Sequence, residues 1–124
     1  MVEQDLKKRT KIFAIRIIKF VEYANQHYSV ATKIIVNRQL IRSGTGIASN
    51  YRAACRSKSR KDFISKIGTV VEEADETQFW LEVLVESGMV KVGLVKDLLN
   101  EASELTAIMT TSRSSAVKNQ KNSK

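Results

Sequence analysis

The side chains in this sequence that could do chemistry are mostly cations, and their spacing is regular. Arg38, Arg42, Thr45, Ser49, Arg52, Arg56 and Arg60 follow at intervals of 4, 3, 4, 3, 4 and 4 residues, which places them on one side of a helix. A guanidinium is planar, permanently charged and able to donate two parallel hydrogen bonds to a phosphate. As one helix, Arg38 to Arg56 spans about 27 Å at about 1.5 Å per residue, long enough to follow several phosphates. Lys58, Arg60 and Lys61 close the stripe, and Lys7, Lys8 and Lys11 widen it from a separate segment. The expected ligand is the phosphate backbone of a nucleic acid, RNA ahead of DNA. No aromatic residue interleaves the stripe, so backbone and shape, rather than base stacking, would carry recognition.

Catalysis lacks its materials. His27 is the one histidine and Cys55 the one cysteine, so neither a multi-histidine metal site nor an intrachain disulfide can be built. Glu72, Glu73 and Glu76 stand at helical spacing, but a di-iron bundle also needs Glu-x-x-His motifs, which are absent. A solvated or salt-bridged acidic face is the expected role. Gly44-Thr45-Gly46 has neither the Gly-Lys-Ser/Thr ending nor the preceding strand of a phosphate loop. His27 also lacks the arginine that precedes the histidine in helical ribonucleases. The expectation is a non-enzyme with no metal and no cofactor.

The elements that position the cations follow from composition. The chain has 124 residues, 43% hydrophobic and 27% charged, with no proline and five glycines, which predicts one all-α domain of long helices. Residues 1–61 hold 14 Lys/Arg against 3 Asp/Glu, and residues 62–117 hold 4 against 10, within a formal net charge of +8. A basic half beside an acidic half predicts attraction to a polyanion together with charge matching between elements or subunits. The charged N-terminus has no apolar signal block, and no run reaches the roughly 18 to 20 apolar residues of a membrane span. A soluble, cytoplasmic protein without a membrane partner is expected.

Apolar periodicity predicts helices at about 4–27, 30–56, 60–87 and 91–113. Leu6, Phe13, Ile17, Phe20, Val21 and Ala24 share the core face of the first. Val36, Leu40, Gly44, Ile47, Tyr51 and Ala54 share that of the second, with Ser29 as N-cap. Phe63, Ile67, Val70, Ala74, Leu81 and Val85 form the third core arc, begun by a Ser59/Asp62 capping box and stopped by Gly88. Leu94, Leu98, Ala102, Leu105 and Met109 form the fourth, with Val95 and Leu99 widening it. Four such helices with short links predict an antiparallel up-down four-helix bundle over residues 1–117. Residues 118–124 read as a disordered basic tail.

Ile15, Ile18, Phe79, Trp80 and Val83 fall outside those core arcs. Unless the bundle is splayed, they form an exposed apolar face, which predicts a homo-oligomer interface. The arginines then acquire a second reading, as structural partners of the acidic run. Arg42 with Glu73 and Glu76 is the foremost candidate, fixing register and subunit orientation in a scaffold or adaptor that binds another protein.

The block Arg38 to Leu84 closely resembles the 23S rRNA intervening-sequence protein family. The matching features are Gln39-Leu40-x-Arg42-Ser43, the small-residue stretch to Asn50, the run from Ala54 to Phe63, and Glu72-Glu73-Ala74-Asp75-Glu76-x-x-x-Trp80-Leu81. The sequence is also similar to the accessory variability determinant proteins of diversity-generating retroelements. The resemblance implies a bacterial four-helix protomer assembled as a pentameric ring or barrel, with nucleic acid as the commonly supposed ligand. For the retroelement relatives it implies a reverse transcriptase partner.

Overall fold

The computed structural model describes residues 3–122, and every regular element among them is helical. α1 (Glu3–His27) is followed by α2 (Val30–Ile35), a π-helical turn (Val36–Leu40) and α3 (Ile41–Cys55). The residues at both joins keep right-handed helical backbone angles, so α2, the π-turn and α3 make one rod. α4 (Arg60–Glu86) and α5 (Val92–Asn122) complete a bundle of four rods. α1 packs on α3 and α5, and α4 packs on the same two, so α1 and α4 stand at opposite corners.

The core explains why the chain adopts these helices. Leu6, Phe13, Ile17, Phe20, Val21 and Ala24 are buried on α1. They meet Val36, Leu40, Ile47, Tyr51 and Ala54 of the second rod. Each large side chain withdrawn from water contributes about 1.5–3 kcal/mol before entropy is counted. Gly44 is a site of close approach, because a Cβ there would lie 2.8 Å from Ile17 Cγ1 and 2.9 Å from Cγ2. Asn25 and Asn37 lock α1 to the π-turn by exchanging amide hydrogen bonds of 2.9 and 2.8 Å. Gly88, with φ at +80°, turns the chain out of α4.

Several expectations are corrected. Phe63 and Val85 are only partly buried, while Thr77 and Leu84 occupy the α4 core. Leu94 is 49% exposed and Val95 takes its place, since the helix begins at Val92 and turns its face by one residue. Ser29 stands before α2 with an extended backbone, but its hydroxyl meets Thr32 Oγ1 rather than a backbone amide. Ser59 does cap α4, accepting from Asp62 N at 3.1 Å, while Asp62 turns its carboxylate to Lys66. α5 continues to Asn122, so residues 118–122 of the expected tail are helical; residues 123 and 124 lie outside the described residues. No helix among the described residues is long and apolar enough to cross a membrane.

Candidate nucleic-acid interface

The arginine stripe is not one line. α3 ends at Cys55, the chain turns, and Arg60 is the first residue of α4, while Arg38 lies exposed on the π-turn. Within α3 the stripe divides between two neighbours. Arg42 leans toward α4, where its guanidinium pairs with Glu76 and lies 3.5 Å from Glu73 Oε1. Arg52 and Arg56 lean toward α1.

That second direction builds a groove. Lys7, Lys8 and Lys11 of α1 face Arg52 of α3 and Arg56, just past its end, across a concavity of about 760 Å³. Ile12 and Ala48 supply an apolar floor, Thr45 and Ser49 supply hydroxyls, and no carboxylate lines it. Close packing of α1 on α3 at Gly44 holds the two basic faces side by side. Lys7 reaches Glu3 at 3.3 Å, and the other four cations take part in no ion pair among the described residues. Gathered like charges in water hold a cloud of counterions, and their release on contact with a polyanion favours binding.

The remaining predicted cations lie nearby or apart. Lys58 and Arg60 line a second concavity, between the start of α4 and the end of α5, and Lys61 is exposed beside it. Sequence reasoning missed Arg113, Lys118 and Lys121, which helical continuation of α5 brings to the same end of the molecule. The signal was present, since these residues recur at intervals of 5 and 3, but Arg113 closes the expected fourth helix and the expected tail obscured Lys118 and Lys121. Segments 3–11, 52–66 and 113–122 hold 13 Lys/Arg against 3 Asp/Glu, leaving 8 against 10 for the rest of the chain.

Arg42, Glu73 and Glu76 form a network in which Trp80 Nε1 also donates to Glu76 Oε2 at 3.0 Å. Burial pushes the Glu73 carboxyl above its usual range, and Arg42 pulls against that. Arg9, absent from the predicted set, bridges α1 to α5 through two hydrogen bonds of 2.7 Å to Glu101 and one of 3.3 Å to Glu104. The hydrogen bonds from Arg9 hold Glu101 below the usual carboxylate range, against the opposing effect of burial. Cys55 is half-buried, and burial pushes its thiol up. His27 stacks on Tyr23 with ring centroids 4.1 Å apart.

Among the predicted interface residues, Ile15 and Ile18 are exposed on α1 beside Ile12, and Phe79 is exposed on α4. Trp80 and Val83 are half-buried next to Phe79, whose ring meets the indole edge-on.

A basic four-helix bundle of this kind has relatives. The chain belongs to the 23S rRNA-intervening sequence protein family, whose model matches residues 3–111. It is similar to a crystal structure from Bacteroides thetaiotaomicron VPI-5482, described as a protein with unknown function from the S23 ribosomal protein family. The two share 29% identity and a TM-score of 0.76, over 86% of this chain and 95% of that one. No curated protein matches the chain.

Proposed function

We propose that the protein binds nucleic acid through its phosphate backbone, RNA ahead of DNA, and acts by binding rather than by catalysis. The observation that supports this is the α1/α3 groove, where five cations meet and only Lys7 has a carboxylate partner among the described residues. The family description ties its members to an intervening sequence of 23S rRNA, which makes RNA the first ligand to test. The rival reading, a scaffold docking a protein partner such as a reverse transcriptase, draws on Arg42. That residue is occupied by Glu73 and Glu76, whereas Arg52 and Arg56 meet no carboxylate among the described residues.

The proposal includes a homo-oligomer, with a pentameric ring favoured by the family resemblance. Exposed apolar residues sit on α1 and on α4, at opposite corners of the bundle. Two different patches on opposite sides favour head-to-tail contacts, which close into rings when the rotation permits. A ring would present several grooves to one polyanion and strengthen weak individual contacts.

The test is fluorescence anisotropy with structured RNA, single-stranded RNA and duplex DNA at low and physiological salt, for the wild type and for R52E/R56E. Binding that persists at physiological salt and is lost in the double variant, with the oligomer intact, supports the reading. A wild type that binds none of the three at low salt overturns it.

A further inference from the structure

Immediately past the groove the chain builds a second concavity of different character. Arg52 and Arg56 line the first; Lys58 and Arg60, on the other side of the short α3–α4 turn, line the second. It is a shallow concavity of about 540 Å³, wide open to solvent. Where the groove offers mainly charge, this concavity adds the exposed part of an aromatic ring, Phe63, which is half-buried against the core, with Ala116 beside it. Across from the ring, α5 contributes the hydroxyls of Ser112 and Ser115 and the amide of Asn119. Ser57 also lines it, and its hydroxyl is shut from solvent with no hydrogen-bond partner among the described residues.

We infer that this concavity receives an unpaired nucleotide of the same RNA whose backbone lies in the α1/α3 groove; the inference rests on the function proposed above. An unpaired base has a free π-face and free hydrogen-bonding edges, and proteins take such bases on aromatic rings flanked by polar side chains. Phe63 supplies the ring, Ser112, Ser115 and Asn119 the polar edge, and Lys58 and Arg60 the phosphate contacts. A base held in a duplex offers none of these surfaces. The route also bends, because the two concavities lie between different helix pairs and are joined around the α3–α4 turn. Duplexes, with a persistence length of about 150 bp, resist such a bend, whereas a single strand follows it. Beyond the concavity Arg113, Lys118 and Lys121 extend the basic track along α5, and none has a carboxylate partner among the described residues.

The experiment compares a blunt-ended RNA hairpin with the same hairpin carrying an unpaired 3′ extension, by anisotropy at fixed salt. Wild-type protein binds the extended hairpin about tenfold more tightly, the order expected for stacking of a base on an aromatic side chain. F63L, and independently N119E at an exposed position, lose that preference while binding the blunt hairpin as the wild type does. Equal wild-type affinity for the two hairpins, or a preference that survives both variants, overturns the inference and leaves the groove reading standing. Failure of the wild type to bind either hairpin, even at low salt, overturns both.

Discussion

Glu73 and Gly46 occupy complementary space: a Cβ on residue 46 would lie 2.6 Å from Glu73 Oε2, so the missing side chain is what admits the carboxylate to α3. Arg42, one turn earlier on the same helix, then meets it. Gly44 serves a different neighbour, the branched and fully buried Ile17.

The two glycines therefore predict different outcomes on replacement by alanine. Alanine gains about 1 kcal/mol of helix propensity at either site. At 46 the Glu73 carboxylate swings aside and an ion pair worth about 0–1 kcal/mol is weakened, so G46A falls within about 1 kcal/mol of the wild type. At 44 the clash is with atoms next to the α1 backbone, and overpacking costs about 1–3 kcal/mol, so G44A is the less stable variant. Urea denaturation of both proteins decides the matter; a G44A protein more stable than G46A would refute the packing argument.

Stability should fall on acidification, and Glu101 should be a named cause. Its folded pKa is lowered, so its contribution is present above the unfolded value and is lost as pH falls through the folded one. Glu73 has the opposite sign: its folded pKa is raised, so its contribution is present below the unfolded value and is lost as pH rises through the folded one. E101Q therefore costs about 1–2 kcal/mol at neutral pH and flattens the loss between about pH 5 and 3. E73Q steepens the loss at the upper edge of that range and above it, where the raised folded pKa of Glu73 lies. Denaturant melts across this range, one variant at a time, measure both slopes.

Salt dependence counts the phosphates engaged. If the five groove cations each meet one phosphate, log Kobs against log salt has a slope of about −3.5 for a single strand and about −4.5 for a duplex. Each charge removed lowers the magnitude by about 0.7–0.9, so R52Q and R56Q should add. A slope unchanged in both variants would place the contact elsewhere. R42Q should leave the slope unaltered, because its guanidinium is already held by Glu73 and Glu76.

I15D and F79D test the two apolar corners. Each puts a charge on a patch that the proposed ring would cover, so each should reduce that oligomer to a smaller species in light scattering while leaving helical content unchanged. A wild type that is monomeric at all concentrations removes the basis for the ring.

Much of this fold was legible because burial repeats with the helical period: every expected core residue of α1 and of the second rod is buried. Leu94 escaped because the start of α5 has apolar residues on several faces, and periodicity alone does not choose among them. The candidate site was legible only in part. Lysines 7, 8 and 11 and arginines 52 and 56 were recognisable by type, but their meeting in one groove depends on how closely α1 approaches α3. Arg38 and Arg42 share the spacing of the stripe yet leave it, one on a π-turn and the other drawn off by carboxylates thirty-odd residues away. The second concavity was invisible, because Phe63 reads as core and Asn119, past the expected end of the bundle, reads as tail.

The reciprocal pair Asn25 and Asn37 also has a kinetic consequence. Only 12 residues separate the two, so the loop that their contact closes is short and its entropic cost small. Each later helix likewise packs on the one just before it. The bridge from Arg9 to Glu101 is different, spanning 92 residues. Connectivity of this kind gives a low contact order and predicts rapid folding, with the α1–α5 seam, whose two sides lie far apart in the chain, expected to shut last.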